Sequence, residues 1–279
     1  MTSRFEENEI ESPRLISEML LTHVIGGERI DLYANIERSA TVVERDTLRS
    51  FVKRTLEHEP VQYIVGKAWF NGMEFSVDSS TLIPRSCTET IVEQCVQYCN
   101  SHLELTTPRV ADIGTGSGCI AIAISANASH CELVASDISN EALLLAQENA
   151  ATHGVHQSIS FVLGDCFEPL EALDPFDFIC SNPPYIPDGE LGMLDANVKN
   201  WEPKLALSGG KNGLFVVEPL IRNSYKYLKP GGILLIEIAT STREKALILA
   251  KECPELTEAK ILRDRFGDDR FLWAIKSTT

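Results

Sequence analysis

The stretch VADIGTGSGCIAIAIS, Val110 to Ser125, decides the fold. An apolar run ends at Asp112-Ile113. Gly114, Gly116 and Gly118 then alternate with Thr115 and Ser117, and a second apolar run follows without a break. Glycine lets the backbone turn sharply and approach a ligand closely, and a helix opening just afterwards points its free N–H groups at that ligand. The pattern predicts a strand, a tight turn and a buried helix. Outward from it, strands are predicted at RVADI, LVASD, ISFVLGD, FDFICS, GGILLIEIA, AKILR and RFLWAIK, with helices between most of them. That alternation implies a Rossmann-like α/β fold with a mostly parallel sheet covered on both faces. Only DRFGDD separates the last two strands, too little for a helical crossover, so they are expected to be antiparallel.

Asp137 ends the second strand, nineteen residues after Gly118, where a carboxylate can accept both hydroxyls of a ribose. The competing reading makes Asp137 the N-cap of the helix that follows. Asp165, Cys166 and Phe167 end the third strand over the same crevice, an acidic acceptor and an apolar flank for an adenine ring. Gly114, Thr115, Gly116, Ser117, Gly118, Asp137, Asp165, Cys166 and Phe167 are therefore candidate cofactor ligands. A dinucleotide site prefers Gly-x-Gly-x-x-Gly, and here the third glycine comes one residue early. S-adenosylmethionine has no pyrophosphate to cradle, and the antiparallel final strand suits a methyltransferase.

The fourth strand runs into SNPPYIP, Ser181 to Pro187. Pro183 and Pro184 have fixed φ and no N–H, so the chain makes a stiff corner there. The Asn182 side-chain oxygen and the Pro183 carbonyl form an acceptor pair for both hydrogens of an NH2 group. Tyr185 can stack on the planar group carrying that nitrogen. Asn182, Pro183 and Tyr185 are the candidate catalytic residues, Asn182 to Tyr185 including Pro184 the candidate substrate site, and Asn182 also borders the cofactor.

The flanking segments differ in character. Ser12-Pro13 reads as a helix start, followed by Leu15, Ile16, Met19, Leu20 and Val24 at helical spacing and a stop at Gly26-Gly27. Leu48, Phe51, Val52 and Leu56 form a second stripe. Asn71-Gly72 between apolar residues predicts a β-hairpin. Ser86 and Glu89 stand at capping-box spacing before another helix.

The 279 residues carry 25 Lys plus Arg against 40 Asp plus Glu, a formal charge of −15 that repels phosphate backbones. No run approaches about 18 uninterrupted apolar residues, and the acidic first residues are unlike a signal peptide. Eight scattered cysteines without a C-x-x-C pair fit a reducing compartment. A soluble cytoplasmic protein without membrane or nucleic-acid contact is expected. Cys95, Cys99 and His102 share a helical face, but without a second ligand pair no metal is assigned.

EPVQYIVGKAWFNGMEFSVDSSTLIPR, DIGTGSG, SNPPYIP, WEPKLALSGGKNGL, LKPGGILLIEI and GDDRFLWA together resemble the release-factor glutamine methyltransferase family over nearly the whole chain. The resemblance implies a helical substrate-recruiting domain at 1–64, a hairpin linker at 65–85 and a class I methyltransferase domain at 86–279. It implies methyl transfer from S-adenosylmethionine, leaving S-adenosylhomocysteine, to the glutamine amide in the Gly-Gly-Gln loop of peptide chain release factors; a monomer is expected, although no residue pattern fixes the oligomeric state. The chain departs from the family pattern twice. Ser86-Cys87 stand where relatives carry Pro and an acid, and Ala239 with TSTREKA stands where relatives carry Gly and Gln-Gly. A nucleic-acid adenine methylase and a silent adenosine-binding scaffold are the alternatives.

Overall fold

The structure, a computed structural model, describes residues 1–35, 37–102 and 107–278. Helices α1 (Thr2–Glu6), α2 (Pro13–Ile25), α3 (Arg29–Ala34), α4 (Val42–Leu56) and α5 (Val61–Val65) lead to a hairpin of β1 (Lys67–Phe70) and β2 (Met73–Ser76). Then follow α6 (Glu89–Ser101), β3 (Arg109–Ile113), α7 (Cys119–Asn127), β4 (Glu132–Asp137), α8 (Asn140–Thr152), β5 (Ile159–Leu163) and β6 (Phe176–Ser181). The chain closes with α9 (Ala196–Lys199), α10 (Lys204–Leu207), α11 (Val217–Tyr227), β7 (Leu228–Glu237), α12 (Arg243–Lys251), β8 (Leu256–Arg263) and β9 (Asp269–Lys276). Two compact units result: Met1–Lys67 with Leu194–Trp201, and Ala68–Met193 with Glu202–Thr279.

The first unit is built on the two apolar stripes. Leu20 of α2 and Val52 of α4 meet Phe5, Val61, Ile64 and Val65 in one small core, flanked by Ile16, Met19, Leu48, Phe51 and Leu56. Pro13 opens α2 at its first turn, but Ser12 sits at φ +50° and its hydroxyl caps nothing. In α4 the cap is complete, since Thr41 and Glu44 each bond the other's backbone N–H.

The second unit holds a sheet in the order β5-β4-β3-β6-β7-β9-β8, with β9 antiparallel to both neighbours and the other pairs parallel. All six residues of β6 are buried. So are Cys119 to Ser125 in α7, a helix apolar all round because it lies between sheet and hairpin-side layers. Chain order reverses between β3 and β6. Ile113 pairs in register with Ser136 and with Ser181, which brings the carboxyl ends of β3, β4 and β6 to one level. A crevice at such a reversal is where ligands sit in doubly wound sheets.

The hairpin is part of this unit. Its turn takes φ +50° at Asn71 and +75° at Gly72, and Phe70 and Phe75 are buried in the main core. Asn149 of α8 accepts from Ser76 N at 2.8 Å and donates to Ser76 O at 3.0 Å and Ser117 O at 2.9 Å, linking the hairpin to the glycine loop. The capping box expected at Ser86 and Glu89 does not form. Ser86–Thr88 is a 3₁₀ turn, α6 starts at Glu89, and the Glu89 carboxylate accepts from Asn71 N at 2.9 Å and pairs with Arg265 at 2.5 Å. A tertiary charge partner outcompetes the local backbone donor. Among the described residues no helix is long and apolar enough to cross a membrane.

Candidate functional site

A cavity of about 330 Å³ opens at the carboxyl ends of β3, β4 and β6. Its walls come from four stretches: Ser80 to Thr88, the glycine loop, the ends of β4 to β6, and Pro203 to Ala206 with Phe215 and Val216.

The glycine loop divides its three glycines between two tasks. Gly114 and Gly116 take φ of +73° and +57°, and a Cβ built on either would enter open space. Gly118, at φ +80°, would instead press a Cβ to 2.9 Å from Ile122 and 3.0 Å from Ala146. Gly118 therefore lets α7 close on α8 and does not line the cavity, contrary to the ligand role expected for it. Thr115 donates to Asp112 Oδ2 at 2.6 Å, and Ala121 N donates to the same oxygen at 3.2 Å. Burial pushes the Asp112 carboxyl up to about 7 against those two donors. Its Oδ1 is buried without a partner.

Asp137 accepts from Gly116 N at 2.8 Å on one oxygen and from Ser139 N at 2.9 Å on the other. The residue lines the cavity, and a carboxylate has more acceptor positions than these two donors fill. Burial raises its pKa, and the backbone N–H groups of Ser139, Gly116 and Ile138 oppose the rise. The cap of α8 is Ser139, whose hydroxyl accepts from Ala142 N at 3.1 Å, so the N-cap reading of Asp137 falls away. Asp165 and Cys166 lie on the wall, Cys166 at φ +47° with its thiol pushed up to about 12 by burial and by Asp165. Phe167 is turned away from it. That ring stacks on Tyr227 at 4.5 Å in the core, where an apolar side chain gains more than at a half-wet wall.

Asn182, Pro183 and Pro184 form the opposite wall. Asn182 Nδ2 donates to Thr88 Oγ1 at 3.2 Å, Thr88 Oγ1 donates to Glu237 Oε2 at 2.7 Å, and the Tyr185 hydroxyl donates to Glu237 Oε1 at 2.8 Å. Tyr185 was expected to offer a stacking face; it is instead anchored on Glu237 outside the cavity wall. Burial and the Glu237 charge hold its phenol well above the ordinary tyrosine range. Beyond the corner, Ile186 N donates to Leu207 O at 3.0 Å and Gly209 N to Ile186 O at 2.8 Å. A Cβ at Gly209 would fall 2.8 Å from Tyr185 Cα, so only glycine lets this loop lie against the corner.

Thr88, Arg85 and Glu202 were not singled out beforehand. Arg85 pairs with Glu202, which is buried and also accepts from Ile83 N at 3.2 Å. For Glu237 a signal existed, an acid inside the apolar run ILLIEI, since a buried charge must find partners. Leu205 and Phe215, which also line the cavity, are 59% and 76% exposed. Cys95 and Cys99 are buried while His102 Nδ1 lies 2.9 Å from Tyr98 O, and among the described residues no group of three or more His, Cys, Asp or Glu could hold a metal.

Comparison with known proteins settles the family. Residues 1–66 match the PrmC N-terminal domain model and residues 90–197 the methyltransferase small domain model. The release factor glutamine methyltransferase of Chlorobaculum tepidum is 39% identical over 84% of this chain and 81% of that protein. That of Rhodopirellula baltica is 35% identical over 97% and 92%.

The chain belongs to the release factor glutamine methyltransferase family.

As a member it is an S-adenosylmethionine-dependent methyltransferase. The fold agrees: the hMettl16 catalytic domain, crystallised with the MAT2A 3′UTR hairpin 6, superposes with a TM-score of 0.56 at 17% identity, over 75% of this chain and 76% of that one. The residues present fit the methyl donor. Gly114 and Gly116 leave a cradle that any Cβ would fill, Asp112 keeps an unpartnered buried oxygen beneath the loop, and Asp137 offers two acceptor positions.

Proposed function

We propose that this methyltransferase modifies the side-chain amide nitrogen of the glutamine in the Gly-Gly-Gln loop of peptide chain release factors, acting as a monomer in the cytoplasm. The observation that carries the reading is the meeting, in one cavity, of the glycine loop and Asp137 with Asn182-Pro183. Bound S-adenosylmethionine supplies an electrophilic methyl group. Gly114 to Ser117, Asp137, Asp165 and Cys166 would hold it. The chain's task lies on the nucleophile, since an amide nitrogen is weak while its lone pair is delocalised. Asn182 Oδ1 and the Pro183 carbonyl accept its two hydrogens, fix its direction and stabilise the positive charge that grows on it, and one of those hydrogens then leaves to water as a proton. Tyr185 holds that corner rigid through Glu237 rather than touching the substrate.

The apolar rim of Leu205 and Phe215 suits a protein loop, and the charge of −15 disfavours a nucleic acid. All eight cysteines are free, in keeping with a reducing compartment. The helical unit is assigned the remote contacts that hold the factor.

Labelled methyl donor incubated with purified release factor should mark the factor, and its Gln→Ala variant should remain unmarked. Adenine-containing DNA or RNA should accept no methyl at low salt, where electrostatic association is strongest. Methylation of nucleic acid, or of the factor lacking that glutamine, would overturn the reading.

A further inference from the structure

A side-chain amide has an accepting end and a donating end of nearly the same shape, so an asparagine that must accept needs something to keep it from turning over. The chain of bonds behind Asn182 supplies this. Glu237 is fully buried, at the last position of β7, and as a carboxylate it can only accept. It receives the Tyr185 hydroxyl at 2.8 Å and the Thr88 hydroxyl at 2.7 Å on its two oxygens. Cys87 Sγ lies 3.9 Å from Glu237 Oε1; burial pushes the Glu237 carboxyl up, and the Thr88 and Tyr185 hydroxyls and the Arg270 charge oppose that rise. Thr88 has one hydrogen, and it is committed to Glu237. Toward Asn182, Thr88 can therefore only accept, and the end of the amide that meets it at 3.2 Å must be the NH2.

We infer that Glu237, acting through Thr88, is a positioning residue that sets the sense of this hydrogen-bond chain and so keeps the Asn182 oxygen turned to the cavity. The inference rests on the assignment of Asn182 as acceptor for the substrate amide. It explains why a carboxylate occupies the dry end of a central strand, where an apolar residue would otherwise serve: an apolar residue could not impose a direction. It also gives Thr88 a role that its neighbours Ser86 and Cys87 do not share. Tyr185 uses the same carboxylate, so the corner and the amide are fixed from one point.

Thr88→Val keeps the shape and removes the hydroxyl. Its kcat should fall about tenfold, while KM for the release factor and calorimetric affinity for S-adenosylhomocysteine stay within about twofold. Thr88→Ser should restore most of that loss. In Glu237→Gln one end donates, so Thr88 or Tyr185 must reverse its hydroxyl, and kcat should fall by roughly threefold to tenfold. A readout independent of turnover is the Asn182 side-chain NH2 resonance, assigned by its disappearance in Asn182→Ala. Its hydrogens should exchange slowly in the wild-type protein and fast in Thr88→Val. Wild-type kcat in Thr88→Val, a serine no better than valine, or unchanged NH2 exchange would overturn the inference. A wild-type protein that methylates no release factor, yet shows the NH2 protection, would instead overturn the proposed function and leave the positioning of Asn182 standing.

Discussion

The two walls of the cavity are built in different ways. The glycine-loop wall is mostly backbone: Gly114 to Ser117 and Asp137 lie at two consecutive strand ends, with Asp112 beneath them, and the Asp112 and Asp137 carboxyls bond residues at most 21 positions away. The Asn-Pro-Pro wall is held by side chains from far along the chain. Asn182 bonds a residue 94 positions away, Thr88 one 149 positions away, and Tyr185 one 52 positions away. A wall of backbone presents fixed donors to a ligand that changes little in the reaction. A wall of side chains hung from one buried carboxylate can aim a single acceptor at a charge that appears only during it.

If that division is right, the largest effect should fall on turnover and come from the second wall. Asn182→Ala should lower kcat by roughly a hundredfold or more, because the lost acceptor bond strengthens as the nitrogen becomes positive. Affinity for S-adenosylhomocysteine should hardly change. Steady-state kinetics set beside calorimetry would decide this, and a collapse of binding would erase the distinction between the walls.

The first wall should show the reverse. Asp137→Ala should weaken donor binding by about 1.5 to 3 kcal/mol, on the order of tenfold to a hundredfold, through loss of a charged acceptor for two hydroxyls. Turnover at saturating donor should stay near the wild-type value. Because Ser139 rather than Asp137 caps α8, the variant should also remain folded. Unchanged affinity in a folded variant would deny Asp137 its place in the site.

The same difference governs what could be read from the sequence. Every strand of the main sheet, the antiparallel ending and the Asn71-Gly72 hairpin were legible, because period, turn residues and connection length are local signals. Gly116 and Asp137 both line the cavity, and the turn and strand-end signals that singled them out are local as well. Gly118, Phe167 and Tyr185 were recognised as special, yet their side of the chain was misjudged: each faces a packing partner, Ala146, Tyr227 or Glu237, that no nearby residue announces. Thr88 was not visible at all, since a threonine in a polar stretch gains meaning only from a carboxylate brought in by the fold. Glu89 misled for a related reason, its expected backbone partner being displaced by Arg265.

The smallest effect belongs to Asp112, beneath the glycine loop. Burial pushes Asp112 up to about 7, against an ordinary 3.8. Between those values the folded chain keeps a proton that the unfolded chain has released. Stability from this group is therefore greatest below about pH 4, falls as pH rises, and changes no further above about 7. One proton over one pH unit amounts to about 1.4 kcal/mol. Asp112→Asn removes the titration while the amide oxygen can still accept from Thr115 and Ala121, which share a single oxygen of the carboxyl. Urea unfolding of wild type and variant at pH 5 and pH 6 should then give a stability difference that moves in favour of the variant by about that amount. Parallel curves would mean that Asp112 is already ionised at pH 5, and that the backbone wall stands over a charge rather than a neutral acid.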